Sequence, residues 1–91
     1  MKEWTHRVPA SDVDAEEALI REALRGGGYD AADLNLSGLA QQAVARRAIG
    51  TVSALNIPIA EAPWKPTANG CVEIVFKFER EQDCLLAKVA L

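Results

Sequence analysis

The chain has 91 residues and a formal charge of -3, with 49% hydrophobic and 25% charged residues. This composition is typical of one globular domain spanning residues 1–91, and it excludes a disordered segment of low hydrophobicity and high charge. The acidic balance weighs against nucleic acid as a partner, because phosphate backbones are bound by basic surfaces. The sequence contains no signal core and no run near the ~18 apolar residues of a membrane span. We therefore expect a cytoplasmic protein that does not enter a membrane.

The beginning of the chain is predicted to form a strand and then a helix. Polar and apolar residues alternate from Lys2 to Val8, and Pro9 ends the alternation, which is typical of a short strand. Asp14 stands three residues before Glu17, the spacing of a capping box at a helix start, and Ser11 and Asp12 are the alternative caps. The glycines at 26–28 end this helix. Its predicted buried residues are Val13, Ile20, Ala23 and Leu24.

A second helix is predicted after a short irregular segment. Asp30 is placed to cap a single turn through Leu34, and Ser37 to cap a longer helix that ends at Asn56. Small residues on its apolar face favour close packing on a sheet. The residues predicted on that face are Gln41, Val44, Ala45, Ala48, Ile49, Val52 and Leu55.

The segment after the second helix is predicted to be extended. Ile57–Glu61 is interpreted as a weak edge strand, because Pro58 lacks the amide hydrogen that an inner strand needs. Residues 62–70 contain two prolines and end in Asn69 and Gly70, which indicates an exposed loop with restricted freedom.

The last part of the chain is predicted to form a β-hairpin. Apolar residues alternate with mostly polar ones from Cys71 to Glu79, and a second alternating apolar run extends from Leu85 to Leu91. A loop at Arg80–Asp83 would join the two strands. The register that makes every inner pair apolar places Phe78 opposite Leu85, Phe76 opposite Ala87, Ile74 opposite Val89 and Val72 opposite Leu91.

Together these elements predict an α+β fold in the order β-α-α-β-β-β. The sheet is expected to be mainly antiparallel, with both helices packed on one of its faces. In this arrangement Val75, Leu86 and Ala90 lie on the outer face of the sheet. Because exposed apolar strips beside a sheet edge are usually covered, we predict that these residues form the interface of a homodimer.

No residue pattern reaches the specificity of a catalytic, cofactor or metal signature. Glycines 26–28 follow a helix and run into acidic residues, which opposes phosphate binding. His6 is the one histidine, and with two separated cysteines it gives no zinc spacing. Cys71 and Cys84 are expected to be free thiols, because the predicted hairpin holds them too far apart for a disulfide. We therefore predict no catalytic residue, no cofactor and no metal.

The candidate binding residues are an aromatic residue in the loop and a basic pair on the second helix. Trp64 lies between prolines and beside Lys65, and either anchors a partner or folds back over the core. Arg46 and Arg47 form the one compact basic spot, on the polar face of the second helix. They either contact an anion or partner, or belong to a solvated surface.

The functional prediction follows from these surfaces. We expect a small acidic protein-binding module without catalytic activity, of the inhibitor or accessory-factor type, acting as a homodimer. The alternative is a small-molecule binder or minor enzyme with a pocket between the helices and the sheet near Trp64, His6 and Tyr29.

Overall fold

The computed structural model describes residues 2–29 and 34–91 and has an α+β architecture. In chain order the elements are β1 (Lys2–Val8), α1 (Ala10–Gly26), α2 (Leu36–Ala54), β2 (Trp64–Pro66), β3 (Val72–Phe78) and α3 (Glu81–Ala90). The predicted fold class is confirmed, but the order is β-α-α-β-β-α, with a third helix in place of the last strand. The single turn predicted from Asp30 lies largely outside the described residues.

The sheet has three antiparallel strands in the order β1-β3-β2. The first strand has the bounds that its alternation predicts, and it pairs with β3 along its whole length. Trp4 lies opposite Phe76, His6 opposite Ile74, and Val8 opposite Val72. Directly opposite residues point to the same face of a sheet. One face therefore carries the aromatic and aliphatic residues of both strands.

The two long helices begin at residues other than those predicted. Pro9 is the N-cap of α1, and no side chain caps this helix through a hydrogen bond. A proline suits a helix start because its missing amide hydrogen has no partner there in any case. In α2 the side chain of Asn35, not Ser37, accepts a hydrogen bond from the Gly38 amide, at 3.0 Å.

The predicted C-terminal hairpin is wrong, because residues 81–90 form α3. The apolar residues from Leu85 to Leu91 alternate as in a strand, yet the buried residues of α3 are Asp83, Cys84 and Ala87, at helical spacing. Acidic residues in the first turn and Lys88 in the last favour the helix through its dipole. The segment Arg80–Asp83 also lacks the glycine and asparagine that tight turns prefer.

The third strand lies later in the chain than predicted. Ile57 is buried in the core, and Glu61 makes an isolated bridge to Lys77. The strand proper is Trp64–Pro66, inside the segment predicted as a loop. Its prolines are compatible with pairing because β2 is an edge strand and only one of its sides needs amide hydrogens.

The core lies between the inner face of the sheet and the three helices. Every second residue of β3 is fully buried, and α2 contributes the small residues that allow its backbone to approach. Helix α1 buries only Val13 completely, and Ile20 packs against the core from its edge. The largest fully buried side chains are Phe76, Phe78, Ile74, Val52 and Val72.

We predict that Phe76→Ala lowers the free energy of unfolding by ~3–5 kcal/mol, the usual cost of emptying a buried aromatic site. Phe76 is fully buried, and its ring stacks near those of Trp4 and Phe78, with centroids 5.9 and 6.0 Å away. Lys77→Ala is the control on the opposite face of the same strand, and its exposed ion pairs contribute at most about 1 kcal/mol. Urea unfolding measures both. Equal shifts of the two midpoints would contradict the assigned inner face.

Candidate functional site

Trp64 is part of the sheet, and its ring covers the edge of the core. It lies opposite Ile74 on β2, is half-buried, and packs against the core cluster. The neighbouring Lys65 is exposed, and it lies opposite Glu73 on the other face of the sheet. The two residues therefore point to opposite sides, and no protruding aromatic loop is formed. Their role in binding stays a prediction.

Arg46 and Arg47 are both exposed on α2, but only Arg47 has an ionic partner among the described residues. Its Nη2 donates to Oε2 of Glu16 at 2.8 Å, which ties α2 to α1. The helices lie on the inner side of the sheet and Lys65 lies on the outer side. The four predicted binding residues thus form no common site in the part of the chain that the structure describes.

The three predicted interface residues lie on different faces of the molecule. Val75 is half-buried on the outer face of β3, where Glu73 and Lys77 flank it. Leu86 is 48% exposed, and it lies with Ala90 on α3, which packs on the inner face. The single apolar strip that was expected on a hairpin is therefore not formed, because residues 81–90 form a helix. Whether any of these residues contacts a second copy stays a prediction.

Helix α3 presents an apolar face to solvent that the sequence interpretation missed. Leu85, Leu86 and Val89 are 54%, 48% and 87% exposed. Val89 follows Leu85 by four residues and Leu86 by three, the spacings that place side chains on one side of a helix. This side lies opposite the buried Cys84 and Ala87. The spacing would have indicated this face if the segment had been interpreted as a helix.

The outer face of the sheet is charged and held by cross-strand ion pairs. Nη2 of Arg7 lies 2.6 Å from Oε1 of Glu73, and Nζ of Lys77 lies 3.3 Å from Glu61 and 4.0 Å from Glu3. The hydrogen bond to Glu73 and its charge raise the pKa of Arg7. This face is thus polar except for Val75 at its centre.

A groove of about 340 Å³ lies between α1 and α2, beside the end of the chain. Its lining is mainly apolar, and the ion pair of Glu16 and Arg47 crosses it. Trp64 does not line this groove. The residues that do are Val8, Asp12, Ala15, Glu16, Leu19, Val44, Arg47, Ala48, Thr51 and Leu91.

A smaller cavity of about 210 Å³ adjoins the start of α3. Asp83, the one buried charged residue of the described chain, lies at its wall. Both carboxylate oxygens of Asp83 accept hydrogen bonds from the Arg80 guanidinium, at 3.1 and 3.2 Å. These contacts raise the pKa of Arg80. The pair satisfies the buried carboxylate and fixes the turn between β3 and α3.

The described residues bring together no nucleophile, base and orienting group. His6 packs beside Trp4, with ring centroids 5.3 Å apart, and burial lowers the pKa of its imidazole. Cys84 is buried and Cys71 half-buried, and both are free thiols, which confirms that prediction. Among residues 2–29 and 34–91, no group of three histidine, cysteine, aspartate or glutamate side chains could hold a metal ion.

None of the helices described here combines the length and the apolar character that crossing a membrane requires.

The chain matches no protein-family model, and searches of curated proteins and of solved structures found no significant match.

We predict that His6 makes stability depend on pH near neutrality. Its pKa in the folded protein is below the ordinary value of 6.5, so the unfolded chain binds the proton more readily. The contribution of neutral His6 is complete above pH 6.5 and is lost as the pH falls from there through the lowered folded-state value. Urea unfolding of the wild type and of His6→Gln over this range should show the wild type losing its advantage. A constant difference between them would contradict the assignment.

Proposed function

We propose that this protein is a small protein-binding module without catalytic activity, an inhibitor or accessory factor that acts as a homodimer in the cytoplasm. The observation that carries the proposal is the apolar outer face of α3, formed by Leu85, Leu86 and Val89. Adjacent large apolar side chains left in water on a short surface helix are typical of a surface that another protein covers.

The geometry of this face favours a helix-in-groove contact. Its three side chains lie within residues 85–89 of α3, little more than one turn. They point away from the core, in which Cys84 and Ala87 are buried. Complete burial of an exposed leucine or valine contributes roughly 1.5–3 kcal/mol, and less for a side chain that is already half-covered. A partner with an apolar groove would be stabilised in the complex by burying these side chains, since such grooves bind helix residues at spacings of three and four.

Polar and charged residues surround the apolar face of α3. Gln82 and Lys88 are exposed on α3 close to the apolar residues, and Glu81 is exposed at its start. Interfaces commonly combine an apolar centre with a solvated polar rim. The face therefore has the composition of a small interaction site.

We expect Leu86→Glu to weaken partner binding at least about tenfold, because it places an unpaired carboxylate in the apolar contact. Leu39→Glu is the matched control, since it makes the same substitution at a leucine of similar exposure, 43% against 48%, on α2 and not on α3. Tagged wild-type and variant proteins are compared as baits by quantitative mass spectrometry, and binding of each candidate is then measured with purified protein. Circular dichroism verifies that both variants are folded. Equal binding by the wild type and Leu86→Glu would contradict a contact through α3.

The groove between α1 and α2 supports a second candidate function, the binding of a small apolar molecule. Its volume of about 340 Å³ falls within the range of small-molecule sites, roughly 300–1,000 Å³. Trp64 does not line this groove, so the groove is a different site from the pocket predicted between the helices and the sheet, which stays a prediction. An arginine and a glutamate at the wall could orient a polar group of the ligand.

We expect an amphipathic fluorescent dye such as anilinonaphthalene sulfonate, which has apolar rings and an anionic sulfonate, to bind in the groove. Ala15→Trp should abolish the binding by filling the groove. Ala15 lines the groove, whereas Ala18 is exposed on the same helix and does not. Ala18→Trp is therefore the control for an added indole. Dye fluorescence is titrated with the three proteins. Unchanged binding by Ala15→Trp would exclude the groove as the site.

A further inference from the structure

The two edges of the sheet differ in whether another strand can join them. β2 has three residues, and it is flanked and ended by Pro63 and Pro66. Prolines block pairing at an edge. β1 is seven residues long and contains no proline before Pro9. Among the described residues no strand pairs with the outer side of β1, so this edge is open to a partner strand.

The backbone groups of β3 point alternately to its two neighbours, as in any central antiparallel strand. The amides of Val75 and Lys77 donate to the carbonyl oxygens of Pro63 and Glu61, at 2.9 and 2.8 Å. The odd-numbered residues of β3 thus bond toward β2, and the even-numbered residues bond toward β1.

The same alternation determines which groups of β1 remain unpaired. Trp4 and His6 lie opposite the even-numbered residues of β3, so their amides and carbonyls are used within the sheet. The amides and carbonyls of Glu3, Thr5 and Arg7 consequently point to the free edge. All three residues are exposed.

The sequence of β1 is complementary to itself in one antiparallel register. If Thr5 lies opposite Thr5 of a second copy, Glu3 of each chain lies opposite Arg7 of the other. All three residues with free backbone groups then form hydrogen-bonded pairs, and each pair exchanges two bonds. Opposite charges directly across two strands stabilise the pairing.

Other two-fold registers centred on a residue of β1 are less favourable. They either pair fewer of the free amides and carbonyls of Glu3, Thr5 and Arg7, or they place like charges opposite each other. If the pairing is centred on Trp4, Glu3 pairs with Thr5 and Arg7 has no partner among the three residues. If it is centred on His6, Thr5 pairs with Arg7 and Glu3 has none. Centring it on Glu3 or Arg7 opposes that residue to its own copy, which is repulsive. Shifting one strand by a single residue would place core-facing side chains of one copy opposite solvent-facing side chains of the other.

The favoured register also continues the charge pattern of the outer face. Within one chain Lys65, Glu73 and Arg7 lie directly opposite one another with alternating signs, and so do Glu61, Lys77 and Glu3. Pairing Arg7 with Glu3 of the second copy joins these two rows. The charge then alternates across both sheets without interruption: Lys65, Glu73, Arg7, and in the second copy Glu3, Lys77, Glu61.

We propose that two copies of the chain associate through antiparallel pairing of their β1 strands, centred on Thr5, into one continuous sheet. This inference rests on the homodimer in the proposed function and names its contact surface. On the inner face the pairing brings Trp4 opposite His6 of the second copy, which adds to the Trp4–His6 contact within each chain. It also leaves all helices on one face of the joined sheet.

The charge pairs provide a test through complementary variants. Glu3→Arg alone opposes two arginines across the interface, and Arg7→Glu alone opposes two glutamates. Each variant is expected to raise the dissociation constant at least about tenfold. An equimolar mixture of the two variants pairs arginine with glutamate at both positions, so heterodimers should form with an affinity near that of the wild type. Sedimentation velocity, with one variant labelled, measures both quantities.

The mixture also controls for effects inside each chain. Both substitutions remove an ion pair to β3, from Glu3 to Lys77 or from Arg7 to Glu73. These losses persist in the mixture, so recovered association reports only the contact between chains. If the mixture associates no better than the separate variants, the proposed register is wrong.

The backbone contact is tested by Thr5→Pro, with Thr5→Val as control. The Thr5 amide points to the free edge, so proline costs no bond within the sheet and the monomer should remain folded by circular dichroism. We expect Thr5→Pro to be monomeric and Thr5→Val to dimerise.

A wild type that stays monomeric at high micromolar concentration would overturn both this pairing and the homodimer. A dimer that survives Thr5→Pro but not Leu86→Glu would overturn the pairing and keep the homodimer.

Discussion

The structure depends on complete burial of one face of β3. Val72, Ile74, Phe76 and Phe78 have no exposed surface, and each side chain contributes roughly 1.5–3 kcal/mol when it is removed from water. Both neighbouring strands pair with β3, and α2 and α3 pack over it. Loss of this strand would remove the surface on which β1, β2, α2 and α3 are held, and α1 packs in turn on α2. Its backbone is satisfied on both sides because it is the central strand.

The same strand separates two surfaces of different chemistry. On its inner side the rings of Trp4, Phe76 and Phe78 form a stacked series. On its outer side Glu73 forms an ion pair with Arg7 of β1, and Lys77 forms one with Glu61, which precedes β2. Because side chains of a strand alternate between the faces, one seven-residue segment positions the core and also orders the charges of the outer face. The α3 face and the β1 edge lie at the margins of this arrangement.

The sequence interpretation succeeded where local pattern and global packing agree. β1 and β3 alternate with period two, and both long helices have apolar residues at helical spacing, so these elements were predicted. Alternation failed at Leu85–Leu91, because a run with so many leucines and alanines fits a strand and a helix alike. The single outer strip expected on that hairpin could not form, since Val75 lies on β3 and Leu86 on α3. Trp64 was misplaced because its prolines indicate a loop as well as an edge strand.

The sequence by itself determined the α+β class, the first strand, the central strand and the two long helices, because hydrophobic periodicity is a local property. Only the tertiary structure decided that the chain ends in a helix, that residues 64–66 form the second edge, and which backbone groups of β1 remain free. These features depend on which segments meet across the sheet. Contacts between residues as distant as Arg7 and Glu73 have no signature in local pattern. The β1 edge follows from such contacts and could be identified only in the fold, whereas the α3 face required only that residues 81–90 form a helix.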